Sequence, residues 1–372
     1  MKESEVYFTD MRCTPAVNLL KKMERIVRAA GFDEIDFNRK LTAIKVNFGE
    51  PGNLAYLRPN FASRIVKMVR DKGGIPFLTD SNTLYFGKRS NAPDHLEAAF
   101  SNGYNPLSTG CHVIIADGIK GTEYRDVEVN LEFTDKAKIG AAIADADIII
   151  SLNHFKGHEQ TGFGGALKNL GMGSASVGGK LFMHSGNPPE IFEKNCTGCR
   201  LCVINCAHDA VHMKEDKKAY IDKEKCTGCG QCVAVCQFDS ARVVWSSGAD
   251  ILSMKIAEYA YAVVKGKPAM HINFIMDVSP DCDCWGHNDV PLVGNIGIAA
   301  SSDPVAIDKA CADLVLEAPV LAGSRIYEKD PGNNLKGADK FKISHPATDW
   351  NTALKHGEKI NAGTMSYKLI KL

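Results

Sequence analysis

An open, mainly parallel α/β sheet interrupted by a cysteine-rich insertion is the fold that this sequence predicts. Strand-like and helix-like segments alternate on both sides of the insertion, which is the pattern of an open α/β domain. Between them, eight of the 13 cysteines fall into two copies of one spacing pattern. We therefore expect a first α/β part at residues 1–190, a small cysteine-rich domain at 191–245 and a second α/β part at 246–372.

Hydrophobic periodicity places the elements of the α/β domain in order along the chain. Before the insertion, the predicted strands are Leu41–Asn47, Ile75–Asp80, Val113–Asp117 and Asp147–Leu152, and the predicted helices are Arg58–Asp71 and Asp94–Phe100. After it, the pattern predicts a helix at Ile251–Val264, strands at Ala269–Val278 and Ile296–Ala300, and a helix from Asp303 to about Leu316. Asp303 followed by Pro304 is typical of a helix start. The segment after about Val320 is rich in Gly and Lys, and we expect it to be peripheral.

The bulk composition excludes several classes of function. The 44 Lys and Arg balance 44 Asp and Glu, so nothing indicates binding to nucleic acid or to an anionic membrane. No apolar run reaches the roughly 18–20 residues that span a bilayer, and the first residues lack the apolar core of a secretory signal. We therefore expect a cytoplasmic protein, in which thiols stay reduced and the cysteines indicate metal binding rather than disulfides.

The two cysteine-rich copies both read C-x2-C-x2-C-x3-C. They contain Cys196, Cys199, Cys202 and Cys206, then Cys226, Cys229, Cys232 and Cys236. This is the spacing of a bacterial two-cluster ferredoxin, in which the fourth cysteine of each copy binds the other cluster. The sequence therefore predicts a two-cluster ferredoxin-like α+β insertion with two [4Fe–4S] clusters. One cluster is assigned to Cys196, Cys199, Cys202 and Cys236, and the other to Cys226, Cys229, Cys232 and Cys206. Zinc, the alternative metal, would leave two cysteines of each copy badly spaced.

The charge of the insertion suggests a partner. Residues 191–245 carry eight Lys and Arg against seven Asp and Glu, whereas free ferredoxin carriers are typically acidic. A near-neutral module could serve as an internal relay that accepts electrons from a redox partner such as a free ferredoxin. Neutral drift of surface charge explains the same composition equally well.

A loop rich in polar side chains follows the strand Asp147–Leu152. It contains His154, His158 and Lys168, together with a Gly-rich turn at 162–165. Ligand sites in open α/β sheets gather beyond the carboxyl ends of strands. A helix that starts near Phe163 would direct its N-terminal amides, with Lys168, towards a small anionic substrate. The alternatives without a functional role are histidines that donate hydrogen bonds to loop carbonyl groups and a lysine that neutralises the charge at a helix end.

A second candidate site is the segment Pro280–Cys284, which reads PDCDC. It follows the predicted strand Ala269–Val278. Cys282 and Cys284 can present two thiolates to one additional metal ion, completed by Asp or His, or they can form a redox-active pair. Two cysteines in a tight acidic turn are the alternative without chemistry.

These motifs resemble those of a known family. The run NHFKGHEQTGFGGALKNLGMG, the eight cysteines, PDCDC and ASSDPVAIDKA at 300–310 resemble the iron–sulfur-centre proteins that carry domain of unknown function 362 with an inserted ferredoxin. The resemblance covers most of residues 40–320. A fainter one reaches the lactate racemases with a nickel pincer cofactor, whose catalytic His, anchoring Lys and nickel-binding His would be His158, Lys168 and His184. Racemases lack the ferredoxin insertion, so the resemblance implies a His and Lys site for a metal or an anion rather than their reaction.

Three functions follow from these patterns. The favoured one is a ferredoxin-dependent oxidoreductase of an anaerobe, in which electrons pass through both clusters to a site built from His154, His158, Lys168, Cys282 and Cys284. The second is an electron-transfer or redox-sensing protein without a substrate of its own. The third is a nickel-dependent, racemase-like isomerase that would hold nickel on Lys168 and His184.

Overall fold

A large mixed sheet with helices on both faces forms the body of the protein. The computed structural model describes residues 3–85, 87–184, 188–206, 208–226, 230–244, 248–329, 332 and 334–372. The strands are β1 Ser4–Asp10, β2 Leu41–Val46, β3 Ile75–Asp80, β4 Val113–Ile115, β5 Tyr124–Glu128, β6 Lys136–Gly140, β7 Ile148–His154, β8 Lys156–His158, β9 Gly162–Gly164, β10 Glu190–Ile191, β11 Val211–Met213, β12 Ala219–Ile221, β13 Ala241–Arg242, β14 Ala269–Ile275, β15 Gly297–Ser301 and β16 Tyr367–Lys371. The α-helices are α1 Leu19–Ala29, α2 Pro59–Asp71, α3 Ala92–Ser101, α4 Pro106–Thr109, α5 Ala141–Ala144, α6 Ala166–Ser174, α7 Val177–His184, α8 Leu201–Ile204, α9 Gln231–Val235, α10 Ala249–Val264, α11 Pro304–Glu317, α12 Lys340–Ser344 and α13 Asn351–Lys359. Short 3-10 turns occupy Phe32–Glu34, Glu193–Asn195 and Tyr327–Lys329.

The main sheet has eight strands in the order β16-β1-β15-β14-β7-β2-β3-β4. Strand β15 runs antiparallel to both of its neighbours, β1 and β14. The other five pairings are parallel. The predicted open, mainly parallel α/β sheet is therefore confirmed. Within the described ranges, no helix is both long and apolar enough to cross a bilayer.

Two apolar cores cover the two faces of this sheet. In β7, Ile148, Ile150 and Leu152 belong to one core, whereas Ile149 belongs to the other. Successive side chains of a strand point to opposite faces, so a strand that is buried on both sides needs a continuous apolar run. The run Ile148–Leu152 meets this need, and the sequence therefore indicates a central position for β7.

Two expectations about element position were wrong. The helix expected near Phe163 begins at Ala166, because Gly162–Gly164 pairs as a strand with Lys156–His158. The segment after Val320 is not peripheral. Its last strand, β16, pairs with β1 along Ser4–Phe8, and Trp350 and Leu354 are buried in one of the two cores.

The cysteine-rich segment forms two small antiparallel sheets. Strand β10 pairs with β13, with Glu190 opposite Arg242, and β11 pairs with β12. Left-handed backbone recurs at a 30-residue offset, at Arg200 and Gly230 and again at Asp209 and Asp239. At these two pairs of described positions the cysteine copies therefore share backbone conformation as well as spacing. Cys229 lies outside the described residues.

A buried histidine in β14 makes the fold sensitive to acid. His271 shares a hydrogen bond of 2.8 Å with Ser151 Oγ, and its Nε2 atom has no partner among the described residues. Burial lowers the pKa of His271 to about 3. The unfolded chain, with an ordinary His pKa of about 6.5, binds a proton that the folded chain does not, so stability falls as pH drops from about 6.5 to 3.

His271→Asn is expected to reduce this acid sensitivity. The slope of the unfolding free energy against pH should fall by about 1.4 kcal/mol per pH unit between pH 6 and 4, the contribution of one proton. Denaturant unfolding of the anaerobic protein at several pH values measures it. The exposed His112 offers the control, since His112→Asn should leave the slope unchanged. Equal slopes for wild type and His271→Asn would contradict the assignment.

Candidate active site

A cavity of about 530 Å³ lies where several strands of the main sheet end. Lys45 is the penultimate residue of β2, Asp80 ends β3 and His154 ends β7, and all three line it. These strands are parallel neighbours, so their carboxyl ends meet at one edge of the sheet. This is the position at which open α/β sheets bind ligands.

The described part of the cavity wall carries an excess of positive charge. Its cations are Lys45, Arg89, Lys156, Lys168 and Lys180. Its carboxylates are Asp80, Glu159 and Asp283. Lys45 pairs with Asp80, Arg89 with Glu50 behind the wall, and Lys156 with Asp283. Lys168 and Lys180, which form no ion pair with a described carboxylate, are the cations that favour an anionic ligand.

The hairpin β8–β9 holds two of the wall residues, Lys156 and His158. Their neighbour Gly157 packs closely against the loop that contains Pro280. A Cβ atom added to Gly157 would lie only 2.1 Å from the Pro280 carbonyl oxygen. The Gly157 N–H also donates to Ser279 O over 2.8 Å. Only glycine permits this approach, which brings the hairpin and the PDCDC segment into direct contact.

Helix α6 carries Lys168, and Asp308 fixes the start of that helix. Asp308 accepts hydrogen bonds from the backbone N–H groups of Ala166 (2.6 Å) and Leu167 (2.9 Å), and from Asn273 Nδ2 (2.7 Å). A Cβ atom on Gly165 would lie 2.2 Å from Asp308 Oδ1, so any larger residue here would displace the Asp308 carboxylate. The carboxylate from α11 thus acts as the cap of α6.

Lys168 meets the two cysteines of the PDCDC segment. Its Nζ atom lies 3.3 Å from Cys282 Sγ and 3.8 Å from Cys284 Sγ, and the two sulfurs are 2.7 Å apart. No carboxylate of the described residues forms an ion pair with Lys168. A hydrogen bond from Cys284 lowers the pKa of Cys282 to about 5 despite burial, with Lys156 and Lys168 adding to the effect. The same bond and burial raise the pKa of Cys284. The pair therefore carries one proton and one negative charge near neutral pH.

The PDCDC loop is fixed from several sides. Asp283 is buried and pairs with His154 Nδ1 at 2.9 Å and with Lys156 Nζ at 3.8 Å. Burial alone would raise the pKa of Asp283, but His154 and Lys156 hold it below its ordinary value. Both terminal nitrogens of Arg325 donate hydrogen bonds to the Asp281 carboxylate. Such a loop presents its sulfurs in one orientation.

The predicted site residues come together in this cavity. His154, His158, Lys168, His184 and Cys284 line it, and Cys282 lies directly behind Cys284. The ring nitrogens of His154 are both engaged, since Nδ1 faces Asp283 and Nε2 lies 2.8 Å from Met276 O. His154 therefore positions the PDCDC loop.

His158 and His184 differ from His154 in their electrostatics. Burial lowers the pKa of His158 to about 4 and that of His184 to about 3, so both are neutral near pH 7. The Nδ1 atom of His158 accepts hydrogen bonds from the N–H groups of Gln160 and Thr161. Its proton therefore resides on Nε2, and the ring is suited to donate a hydrogen bond to an anionic or carbonyl oxygen.

The four cysteines that the sequence assigns to one cluster come together in the cysteine-rich segment. Cys196, Cys199, Cys202 and Cys236 line one small cavity. Burial, followed by the neighbouring thiols of Cys236, Cys196 and Cys199, raises the pKa of Cys202, as expected for cysteines around one cavity.

Backbone amides also point at these sulfurs. The N–H of Ala219 donates to Cys196 Sγ over 3.4 Å, and that of Ser240 donates to Cys236 Sγ over 3.3 Å. In the other half, the N–H of Ala210 donates to Cys206 Sγ over 3.3 Å. Such bonds stabilise thiolate ligands, and the donor set suits iron–sulfur clusters.

Helix α7 separates the cysteine-rich segment from the cavity. Lys180 and His184 of α7 line the cavity. Leu181 is buried against Val233 and Ala234 of α9. Gly230, next to the second cysteine loop, is so close to α7 that an added Cβ would lie 3.1 Å from Gly178 Cα. Helix α7 therefore contacts both α9 with its preceding residue Gly230 and the cavity.

Several wall residues were not predicted from the sequence. They are Lys45, Asp80, Arg89, Lys156, Lys180 and Asp283. Two of them carried a usable signal, because Lys45 interrupts the apolar strand β2 and Asp80 ends β3 at the ligand-binding edge. Arg89 and Lys180 lie outside the strands, and no spacing pattern marks them.

Among the described residues, no group of three or more His, Cys, Asp or Glu side chains is arranged to hold a single metal ion. Cys282, Cys284 and His184 are therefore not placed as a three-ligand site, although Cys284 and His184 line the same cavity. A [4Fe–4S] cluster does not need ligands arranged around one ion, since each of its four cysteines binds a different iron atom.

Comparisons with known proteins give distant relatives. A thylakoid-associated protein of Synechocystis is 27% identical over 120 residues, which is 32% of this chain and 34% of that protein. The lactate racemase apoprotein of Thermoanaerobacterium thermosaccharolyticum superposes with a TM-score of 0.39 and 11% identity, over 99% of this chain and 82% of its own. A structural-genomics protein of Thermotoga maritima superposes with a TM-score of 0.36 and 12% identity, over 69% of this chain and 50% of its own.

The family comparison covers far more of the chain than the cyanobacterial relative does. A family model described as a domain of unknown function, DUF362, matches residues 42–313. This range includes the cavity from Lys45 to Cys284, both cysteine copies and the capping residue Asp308. The chain therefore belongs to the DUF362 family.

Proposed function

We propose that this protein is a ferredoxin-dependent oxidoreductase. Two [4Fe–4S] clusters, held by the eight cysteines of residues 196–236, deliver electrons to an anionic substrate in the cavity. The observation that carries the proposal is the shared wall, because α7 contacts the Cys226–Cys232 side of the insertion and also lines the cavity. An electron-transfer protein without a substrate would need neither the cavity nor its buried charges.

The residues around the cavity have complementary roles in this proposal. Lys168 and Lys156 attract the anion and neutralise negative charge that develops during reduction. His158 donates a hydrogen bond from Nε2 to a substrate oxygen. His154 and Asp283 hold the PDCDC loop, so they act on the substrate only through position.

Metal analysis of the anaerobically purified protein tests the clusters. We expect about eight iron and eight sulfide per chain, because each of two cubanes holds four of each. Cys196→Ser/Cys199→Ser should lose about half of both. Cys13→Ser is the matched control, since Cys13 is exposed and lies outside the two copies. Iron and sulfide well below one cluster in wild type would overturn the proposal.

The same preparation distinguishes the isomerase alternative. His158, Lys168 and His184 do line one cavity, as that alternative requires. It predicts about one nickel per chain that remains after Cys282→Ser/Cys284→Ser. An additional metal that this double variant loses would instead place a metal ion on the two cysteines. Nickel together with activity in the absence of reductant would overturn the oxidoreductase proposal.

A further inference from the structure

The cysteine pair beside Lys168 has the geometry of a redox centre. We infer that Cys282 and Cys284 form a dithiol–disulfide couple that the inserted clusters reduce and that passes two electrons to the bound anion. This inference rests on the proposed function and names the group that receives the electrons.

The contacts of the pair favour a dithiol over an ion site. The sulfurs are 2.7 Å apart on a loop that Asp281 and Asp283 anchor. The described side chains give the pair no third cysteine, histidine or carboxylate arranged around a common ion. Lys168, at 3.3 Å from Cys282 Sγ, stabilises the thiolate that forms when the disulfide opens.

The route from the insertion to the pair crosses α7 and the cavity. Gly230 and α9, which contains Cys232, pack against Gly178 and Leu181 of α7, and Lys180 and His184 of the same helix line the cavity that Cys284 also lines. At the other cluster position Cys199 is exposed, and none of the described residues that line its small cavity belongs to α7. The geometry therefore orders the clusters, with entry at the Cys199 side and exit at the Cys226–Cys232 side.

The redox step balances with one-electron donors. A reduced carrier of the ferredoxin class would supply two electrons, one at a time, and in a serial relay the clusters held by the eight cysteines would pass both of them on in turn. The S–S bond of the disulfide breaks as it takes up two electrons and one proton. The products are the Cys282 thiolate and the Cys284 thiol. When the couple reduces a two-electron acceptor in the cavity, the S–S bond forms again and the Cys284 proton leaves.

An electron count tests the couple without any substrate. Protein oxidised anaerobically with thionine and desalted is titrated with reduced methyl viologen, and each sample is alkylated after denaturation. Wild type should accept about four electron equivalents, two for the clusters and two for the disulfide. The peptide of Cys282 and Cys284 should resist alkylation at the start and carry two labels at the end. Cys282→Ser should accept about two, and Cys13→Ser about four.

A second variant tests the route. Cys226→Ser/Cys232→Ser keeps the cysteine pair but lacks two ligands of the cluster beside α7, so its disulfide should stay closed on the timescale on which wild type is reduced. If wild type accepts only two electrons, its clusters bleach and its cysteine-pair peptide is fully alkylated from the start, this inference is overturned. The proposed function would then still stand. Absence of any cluster absorbance would overturn the proposed function itself. Reduction of the disulfide in the double variant at the wild-type rate would overturn the route.

Discussion

Lys168→Met is expected to weaken the binding of small anions by roughly 10- to 150-fold, the effect of one charge-assisted hydrogen bond of about 1.5–3 kcal/mol. In the described structure Lys168 has no carboxylate ion-pair partner and contacts Cys282 Sγ at 3.3 Å, so an anion in the cavity would share its charge with that sulfur. Thermal shift with lactate, oxalate and inorganic phosphate measures the effect. An anion at about 100 times its Kd stabilises wild type by about 2.7 kcal/mol, and the variant should lose most of this gain.

Two further variants separate charge from folding. Lys22→Met removes another buried lysine, one that pairs with Asp10 on the far strand β1, and should keep the full anion shift. Lys168→Arg retains the charge and should keep part of it. Lys168→Met should also raise the pKa of Cys282, since Lys168 is one of the groups that lower it. An undiminished anion shift in Lys168→Met would show that the ligand binds elsewhere.

Asp308→Ala is expected to destabilise the folded protein by roughly 3 kcal/mol or more. The substitution leaves three buried N–H groups without an acceptor, namely those of Ala166 and Leu167 and one of the two amide N–H groups of Asn273, whose Nδ2 atom also lies 3.5 Å from Cys311 Sγ. Each costs about 1 kcal/mol or more. Denaturant unfolding of the anaerobic protein measures the loss. Because these donors start α6, the variant should also bind anions less tightly through a displaced Lys168.

The conservative change gives the control. Asp308→Asn keeps one oxygen acceptor and places an amide against the remaining N–H, so its loss of stability should be intermediate. Burial raises the pKa of Asp308 to about 6, and its protonated form is favoured in the folded protein below that pH. The ordinary Asp pKa of about 3.9 is lower, so wild type gains stability as the pH falls from about 6 to 4, whereas the Asn side chain does not titrate. The stability gap between wild type and the Asn variant should therefore be wider at pH 5 than at pH 8. A loss below about 1 kcal/mol for Asp308→Ala would exclude the capping role.

The central strands were predictable because burial on both faces requires a continuous apolar run in the sequence. The run Ile148–Leu152 is apolar throughout, and Ile75–Asp80 matches its predicted boundaries. The outer strands leave no such trace. In β16, Tyr367–Lys371, no residue is fully buried, so its place beside β1 depends on a partner more than 350 residues away in the chain.

The site was predictable in part, for a similar reason. Chemistry-bearing residues after β7 and β14 could be expected at the ligand-binding edge of the sheet. Their mutual contacts could not, since Lys168 and Cys282 are 114 residues apart and no periodicity links them. Asp308 illustrates the limit most clearly. Its spacing indicates a residue one turn into α11, whereas its carboxylate caps a different helix.

The pairing of β10 with β13 has a consequence for the ancestry of the chain. Glu190 and Arg242 are opposite each other, so the polypeptide leaves the sheet domain and returns to it at neighbouring points. All eight strands of the main sheet lie outside this excursion. A gene segment that encodes it could therefore be spliced in or lost without changing the order of any strand. If the segment were absent, an ordinary turn could join the chain at the paired positions Glu190 and Arg242.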